Sequence, residues 1–406
     1  MKTNLSLAVA AALLAGASSA NAGIMIPAGD WTLDIGGVVN AYYTSTRQTG
    51  TPTGLALPND ALSGPSTSKT QSNITTGLLP NYLSVSGKTR QNDLDVGFTI
   101  SINPGASTTQ SGQQSAHQEN RQAFLTFGDK SWGSIKLGKD LGIYASDAIL
   151  NDMTLLGVGS GAGGLAGNTT TLGRIGTGFM YADWKSQVAY SSPNWNGFSF
   201  TGGVTQAWNA IGNGATSTSR GGASPAFEGK ASYEWAGDFG GKAWVSGISQ
   251  KVKGLNGAAV VNGSERANAF DVGATVNVAG FGATGYYGQG SGTGTTVLLN
   301  GGFDQSGKSR DSQDWYVQGT YTIPTVGTKL GVSYGESSLD QNGGTDQVGD
   351  LTNKMWTIGA YHPITKHLNL VAEYSDVKGK VTGSSIVANN TSGKTKTIAL
   401  GAILFF

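Results

Sequence analysis

The strongest constraint on the fold is the alternation of residue types at the C-terminal end of the chain. From Ile398 to Phe406 every second residue is apolar, and the printed sequence ends with Phe406. Because alternate side chains of a β-strand point to opposite faces, these apolar residues share one face of a strand. A last strand with one apolar face and an aromatic final residue is typical of an outer-membrane β-barrel, in which it closes against the first strand.

The same period of two recurs inside the chain. Segments 94–103, 270–278 and 368–375 place apolar residues at alternate positions, with polar residues or glycine between most of them. This period indicates strands with one apolar and one wet face. The 64 glycines could also suit a disordered linker, but 9 Trp, 14 Tyr and 13 Phe are spread along the chain, and disordered segments are poor in aromatic residues. The pattern therefore predicts an all-β protein.

Short turns set the number of strands. Most of them recur about every 40 residues, which is the length of one strand, one long loop and a second strand. With a first strand near 31–47 and the C-terminal strand last, the spacing predicts a transmembrane antiparallel β-barrel of 16 strands, large enough for a water-filled lumen. The short turns are expected at 88–93, 130–133, 193–197, 236–241, 279–280, 324–327 and 363–367.

The N-terminal residues predict export from the cytoplasm. Lys2 precedes an apolar run, and Ala20-Asn21-Ala22 fits the site at which a signal peptide is cleaved. Residues 1–22 are therefore predicted to be a signal peptide and residues 23–406 the barrel domain. Loss of Lys2 leaves a chain with balanced charge, which argues against a nucleic-acid partner. The absence of cysteine excludes disulfides and thiolate metal sites.

Two sequence features could indicate a phosphate-binding site or a metal site, but the surrounding sequence argues against both. Residues 302–309 match the phosphate-binding P-loop pattern, but that pattern needs a following helix, and here an alternating strand follows. The three histidines have no paired spacing that would suit a metal site. We therefore expect no cofactor, no metal and no enzymatic activity.

The connection at 140–177 is about 20 residues longer than the others, and loops of this length are usually functional. In and around it the sequence resembles the Gram-negative general porin family, whose members are trimeric 16-stranded diffusion channels with a third loop folded into the lumen. Together with the predicted signal peptide and Phe406, the resemblance covers the whole chain. It rests on segments 121–124, 132–139, 147–148, 151–153 and 190–200.

The resemblance also implies site residues. In the family, acidic residues of the third loop face basic residues of the opposite wall, which implies that Asp152 faces Arg121. Tyr82 stands where the family usually has an arginine, and Leu155-Leu156-Gly157 replaces a Pro-Glu-Phe run, so the constriction should be less charged than usual. The further candidates for the constriction are Asp147, Lys136, Lys139 and Lys185, and Phe406 is the candidate for barrel closure and assembly.

The function implied by the resemblance is passive diffusion of small hydrophilic solutes and ions across the outer membrane. It further implies a homotrimer in contact with outer-membrane lipid and inserted by the barrel assembly machinery. Two alternatives stay open at this point. One is a substrate-selective channel in which Tyr82, Tyr181 and Tyr316 form a stacking path. The other is a secreted or surface β-rich structural protein without a pore.

Overall fold

The computed structural model describes residues 23–50, 70–106, 118–160, 170–210, 216–217, 224–256, 263–343, 346–385 and 392–406. The predicted signal peptide and the middle of the long connection at 140–177 lie outside the described residues. Within these ranges the chain forms a single sheet of twenty strands, one α-helix, α1 (Ser146–Leu150), and one 3-10 helix (Met153–Leu156).

The strands follow the chain in order and are antiparallel to their neighbours. They are β1 (Ile24–Ala28), β2 (Trp31–Gly50), β3 (Thr70–Thr75), β4 (Tyr82–Gln91), β5 (Leu94–Pro104), β6 (Gln118–Glu119), β7 (Ala123–Asp129), β8 (Gly133–Leu141), β9 (Trp184–Ser191), β10 (Phe198–Thr205), β11 (Thr216–Ser217), β12 (Ala226–Trp235), β13 (Gly240–Asn256), β14 (Gly263–Val278), β15 (Phe281–Ser291), β16 (Asp311–Thr322), β17 (Lys329–Leu339), β18 (Asp350–Pro363), β19 (Leu368–Thr382) and β20 (Ser392–Phe405).

The twenty strands occupy sixteen places around a closed barrel. Four of them are short and continue the line of a longer strand, so each such pair counts as one membrane-crossing strand. Strands β3 and β4 both pair with β2, β6 and β7 both pair with β5, and β11 and β12 both pair with β13. Strand β20 pairs with the second half of β2, and β1 pairs with its first half, so β1 continues the row of β20. The predicted 16-stranded antiparallel barrel is confirmed.

The seven predicted short turns all join consecutive strands. Two of them leave only two residues between the strands, and there Asn92, Asp93, Ala279 and Gly280 have positive φ angles, as tight hairpin turns require. Aromatic side chains lie exposed at or beside several of these turns, as expected for the aromatic girdle of a membrane barrel. They are Trp132, Trp195, Phe239 and Phe281.

The apolar faces of the strands point away from the interior. Ile398 and Leu400 of β20 are about half exposed, whereas Thr397 and Ala399 at the alternate positions are buried. A soluble protein would turn the apolar face inward, but a barrel in lipid turns it outward. Among the described residues, no helix has both the length and the apolar character needed to cross a membrane.

Candidate functional site

A long segment between β8 and β9 contacts several distant parts of the barrel wall. We call residues 142–182 the inner segment, of which 142–160 and 170–182 are described. Its groups form hydrogen bonds with inward-facing side chains of β12, β13, β16, β19 and β2, as detailed below. These contacts place the described part of the inner segment on the inner side of the barrel wall.

The inner segment begins at a buried ion pair on β12. The Glu228 carboxylate accepts hydrogen bonds from the backbone N–H groups of Ile143 and Tyr144, at 2.9 and 3.0 Å. Its other oxygen lies 2.5 Å from Lys185 Nζ and accepts a hydrogen bond of 2.7 Å from Thr205. Burial of an ion pair is tolerated when hydrogen bonds satisfy its remaining lone pairs, and here they do.

A second carboxylate attaches helix α1 to two lysines of the wall. Asp147 lies 3.1 Å from Lys230 Nζ and 2.6 Å from Lys242 Nζ, each measured to one carboxylate oxygen. Burial acts to raise the pKa of Asp147, but the two ammonium groups outweigh it and hold this pKa below its ordinary value. We call Asp147, Lys185, Glu228, Lys230 and Lys242 the charged anchor.

Amide and phenol groups of β16 hold α1 and the residues that follow it. Gln318 accepts a hydrogen bond from the Met153 N–H at 3.0 Å and donates one to the Asn151 carbonyl at 2.6 Å. Tyr316 donates to the Ala148 carbonyl at 2.9 Å. These bonds satisfy backbone groups in a stretch too irregular to satisfy its own.

Asp152 caps the 3-10 helix. Its carboxylate accepts hydrogen bonds from the N–H and the hydroxyl of Thr154, at 2.9 and 2.7 Å. Burial raises the pKa of Asp152, and the positive charge of Arg174 acts in the opposite direction. Part of the role of Asp152 is therefore structural.

The part of the inner segment around 155–158 packs against apolar side chains. The backbone N–H groups of Leu78 and Leu79 donate to the carbonyls of Gly157 and Leu155, at 2.8 and 3.3 Å. The hydroxyl of Tyr42 donates to the Leu156 carbonyl at 2.6 Å. Six buried residues of one hydrophobic cluster surround these bonds, and we call them the apolar anchor: Leu78, Leu79, Leu155, Val158, Ile403 and Phe405.

The apolar anchor depends on a break between β3 and β4. Residues 76–81 leave the sheet and are buried. The side chain of Asn40 holds this break, because it accepts a hydrogen bond from the Gly77 N–H at 2.9 Å and donates one to the Leu79 carbonyl at 2.9 Å. Asn40 thus replaces the sheet hydrogen bonds that the break removes, as buried backbone groups require.

Glu373 of β19 also holds the inner segment near the apolar anchor. Its carboxylate accepts hydrogen bonds from the N–H groups of Val158 and Gly159, at 2.8 and 2.7 Å, and from the hydroxyl of Tyr361 at 2.6 Å. A carboxylate that binds two successive N–H groups fixes the backbone as well as the position of a loop.

The structure gives Arg121 and Asp152 different partners. Arg121 forms an ion pair of 2.7 Å with Glu119, and its guanidinium lies 5.7 Å from the centre of the Trp184 ring. Asp152 binds Thr154, as described above. No hydrogen bond or ion pair joins Arg121 to Asp152 in the described part of the chain. Their predicted opposition across the lumen stays a prediction.

The other candidates divide between the two faces of the wall. Lys136 lies opposite Thr126, forms an ion pair with Asp140 and lies 4.8 Å from the centre of the Phe124 ring. Lys139 shares the face of Leu137, which is the outer face, and donates to a backbone carbonyl. Lys185 and Asp147 belong to the charged anchor.

Tyrosines expected in a stacking path are instead packed in the interior. Tyr316 and Tyr181 are buried, and Tyr82 packs against the same hydrophobic cluster. Phe179 of the inner segment contacts Tyr316 at a ring-centre distance of 5.7 Å. This arrangement leaves the faces of Tyr181 and Tyr316 closed to a passing solute.

Sequence reasoning missed several residues that hold the inner segment. Lys230 and Lys242 were not singled out, although each occupies a polar position of an alternating strand, and neither was Glu373. That alternation could have placed them on the inner face, but it does not reveal which loop they contact.

Two cavities open toward the short turns. One of 640 Å³ is lined by Asp152, Gln318 and Lys329 among others. The second, of 730 Å³, is lined by Lys88, Arg90, Thr126 and Ser134 among others. In the described ranges no group of three His, Cys, Asp or Glu side chains is arranged to hold a metal ion.

Comparison with known proteins agrees with this architecture. A family model described as Gram-negative porin matches residues 7–382. The fold is similar to an anion-selective porin from Comamonas acidovorans, with 14% identity, a TM-score of 0.62 and coverage of 93% of this chain and 100% of that chain. It is also similar to the outer membrane channel DcaP of Acinetobacter baumannii, with 15% identity, a TM-score of 0.64 and coverage of 92% and 98%.

A third similar structure is Salmonella typhi OmpF in complex with daunomycin, with 17% identity, a TM-score of 0.56 and coverage of 94% of this chain and 100% of that chain. At these identities the likeness concerns the fold alone. A comparison with curated protein sequences finds no match.

Proposed function

The chain belongs to the Gram-negative porin family and is an outer-membrane diffusion channel, and on this premise we propose that its pore passes between the inner segment and the wall formed by β4, β5, β7 and β8. The family excludes the reading as a surface structural protein without a pore. We further propose that the channel carries out no chemistry and admits small hydrophilic solutes and ions by size and charge.

The route is supported by one asymmetry of the interior. The inner segment is bonded to β12, β13, β16 and β19 through the charged anchor, Gln318 and Glu373, and to β2 through Tyr42. On the other wall, short inward-facing residues such as Gly97, Thr126 and Ser134 line the 730 Å³ cavity. Short side chains leave room for water, and water is the medium in which a diffusing solute crosses.

Selectivity in this proposal comes from a few charges on the open wall. Lys88 and Lys136 keep partly or fully exposed side chains there. Asp152 is the acidic counterpart on the inner segment, and Arg121 acts near the long loops together with Glu119. Because Asp147 and Glu228 are already neutralised by lysines, we expect only weak preference for ions of either sign.

We also propose that the channel is a homotrimer whose subunit contacts include β8 to β10. These strands have 9, 8 and 8 residues, against 17 and 16 for β13 and β14. A strand needs about 9–11 residues to span the bilayer, so this short side of the wall is better suited to contact other subunits than lipid. We further propose that residues 1–22 are removed as a signal peptide and that the barrel assembly machinery inserts the chain into the outer membrane.

The route is tested by cysteine scanning in planar bilayers, because the chain has no cysteine of its own. Thr126→Cys and Ser134→Cys lie on the proposed path, and Asn353→Cys lies on the inward face of β18 as a matched control. We expect a charged thiol reagent to reduce the conductance of the first two variants and to leave that of the control unchanged.

Reduced conductance of Asn353→Cys, with unchanged conductance of Thr126→Cys and Ser134→Cys, would place the path along the wall that contains β18. That result would overturn the proposed route. Absence of any ion conductance by the unmodified protein would overturn the channel itself. Current that saturates with one solute would identify the substrate-selective alternative, because a diffusion pore does not saturate.

A further inference from the structure

The cavity of 640 Å³ lies between the inner segment and the wall formed by β14 to β17. Asn151 and Met153 of the inner segment line one side of it, and Gly237 and Gly280 of two short turns line its end. We call this cavity the alcove. Its volume falls within the range of about 300–1,000 Å³ that is typical of sites for small molecules. The alcove lies across the lumen from the route proposed above, so an occupant would leave that route open.

The polar groups where the alcove meets the inner segment are already engaged. Gln318 bonds the backbone of Asn151 and Met153, and both oxygens of Asp152 accept hydrogen bonds from Thr154. These side chains satisfy an irregular backbone, as buried polar groups require. They hold the inner segment rather than a ligand.

The polar side chains on the wall of the alcove are free of such duties. Lys329, Asn277 and Thr322 line it, and within the described residues no hydrogen bond or ion pair is found for their side chains. The ammonium group of Lys329 lies 5.1 Å from the centre of the Tyr361 ring, which fixes its position. The hydroxyl of Thr320 reaches only a backbone carbonyl at 3.5 Å, which is a weak hydrogen bond. Four polar side chains are therefore available to a ligand.

A glycine keeps a hollow open between two of these side chains. Gly282 is paired in register with Asn277 on one side and with Thr320 on the other. A Cβ at Gly282 would lie 2.6 Å from Thr320 Oγ1 and 2.9 Å from Asn277 Oδ1. Gly282 is not among the glycines with a positive φ angle. The space, and not the backbone conformation, therefore requires glycine here.

The hydrogen-bonding groups of the alcove indicate which solutes it suits. Lys329 offers only donors, the carboxylate of Asp238 at the turn end offers only acceptors, and the amide and hydroxyls between them offer both. A solute hydroxyl group both donates and accepts, so it can pair with any of them. A solute carboxylate can only accept and would meet the charges of Asp152 and Asp238, whereas a solute ammonium group would meet that of Lys329.

We propose that the alcove binds one neutral, polyhydroxylated solute such as a monosaccharide. Its hydroxyl groups bond with Asn277, Thr320 and Thr322, and Lys329 donates to one of its oxygens. A site built to hydrogen-bond hydroxyl groups discriminates against analogues that lack them, because its own polar groups are then left unpaired. The site rests on the proposed channel function in one respect, since solutes reach the alcove through the water of the pore.

The test measures binding to the solubilised barrel by saturation-transfer NMR, in a detergent without a sugar head group. The unmodified protein is titrated with D-glucose, with gluconate, which adds a carboxylate to the hydroxyl groups, and with cyclohexanol, a ring with one hydroxyl group. We expect a saturable signal from glucose, weaker binding of gluconate and no saturable signal from cyclohexanol.

Two variants change the alcove, and two matched variants do not. Gly282→Ala fills the hollow and Asn277→Ala removes its amide, and each should weaken glucose binding about tenfold, as loss of a hydrogen bond does. Gly285→Ala and Asn268→Ala, on the outward faces of β15 and β14, should bind glucose like the unmodified barrel. A Cβ at Gly285 would meet nothing within 4 Å. Bilayer conductance, which should be unchanged, checks that each variant is folded.

Several outcomes would overturn the proposal. One is absence of a saturable glucose signal, and another is equal glucose binding by Gly282→Ala, Asn277→Ala and the unmodified barrel. Equal binding of cyclohexanol would show that the hydroxyl groups are not recognised. Tighter binding of gluconate would make Lys329 part of an anion site instead. Absence of conductance together with saturable glucose binding would count against the channel function alone, because the NMR signal does not depend on conduction.

Discussion

Two successive parts of the inner segment, around 143–147 and 155–158, are attached by different physical means. The charged anchor uses ion pairs between Asp147 or Glu228 and lysines of the wall. The apolar anchor uses buried side chains around the carbonyls of Leu155 and Gly157. The first attachment should respond to salt and pH, and the second to side-chain volume. The comparison shows that an irregular segment can be attached to the inner side of a barrel wall by either means, provided that its backbone groups are satisfied.

Solvent access explains why the two anchors can coexist. The side chains of Lys230 and Lys242 are 26% and 13% exposed, so water and ions reach part of the charged anchor. Leu79 and Ile403 of the apolar anchor are almost completely buried. Apolar burial gains stability only where water is excluded, whereas a partly hydrated ion pair avoids much of the desolvation cost.

The largest expected effect concerns the seam beside the apolar anchor. Phe406 exchanges two backbone hydrogen bonds with Gly37, at 2.8 and 3.1 Å, and thereby extends the pairing of β20 with β2. Deletion of Phe406 should strongly lower the amount of assembled protein in the outer membrane, because the seam closes the barrel. Quantitative immunoblots of membrane fractions measure this. Phe239→Ala, at a short turn, should assemble normally, and normal levels of the deletion variant would refute the prediction.

The next effect is loss of the charged anchor. Asp147→Asn leaves Lys230 and Lys242 without their shared carboxylate, and unpairing of a buried charge costs about 3–5 kcal/mol. Because both lysines are partly hydrated, we expect the lower end of this range. Urea unfolding in lipid vesicles measures the loss, and single-channel recordings should show noisier current. Asp93→Asn, at an exposed turn, is the control, and equal stability of both variants would contradict the role of Asp147.

The pH response of this anchor follows from the lowered pKa of Asp147. A carboxylate whose folded pKa lies below its unfolded value stabilises the fold above the unfolded value, and the stabilisation is lost as pH falls through the folded pKa. The unmodified channel should therefore keep quiet single-channel currents on acidification through the ordinary carboxylate range and become noisy only below it. Asp147→Asn should be noisy at every pH.

A comparable but salt-independent effect is expected at the apolar anchor. Leu79→Ala removes a buried side chain, and such substitutions cost about 2–5 kcal/mol. Unfolding in vesicles should show this loss at low and high ionic strength alike, whereas the effect of Asp147→Asn should shrink in salt. Leu330→Ala on the lipid-facing wall is the matched control. If salt altered both anchors equally, the distinction between them would be wrong.

The smallest expected effect is on ion selectivity. Lys136→Gln removes a cation from the open wall and should shift the reversal potential modestly toward cations. The shift should fade in concentrated salt, since the screening length decreases from about 10 Å at 0.1 M to about 3 Å at 1 M. Lys139→Gln removes the same charge from the outer face and should not shift it. A shift with Lys139→Gln alone would mean that the faces of β8 are assigned wrongly.

Local signals account for the features that could be predicted. The period of two and the turn residues act within one hairpin, so they indicated all seven short turns and the sixteen positions of the barrel. The break between β3 and β4 was not predicted, because it depends on Asn40, which lies 37 residues before Gly77. Partners of the site residues were missed for the same reason.

The sequence by itself determined that this chain forms a membrane barrel, since alternation, turns and glycine content are properties of neighbouring residues. Only the tertiary structure decided which charges meet. Lys230 and Lys242 lie 83 and 95 residues from Asp147 and reach it because barrel closure brings β12 and β13 beside α1. Arg121 pairs in the fold with its near neighbour Glu119, a partner that the sequence did not indicate, and its position opposite Asp152 stays a prediction. Charges separated in sequence acquire partners only when the whole wall is closed, because electrostatic attraction depends on distance in space.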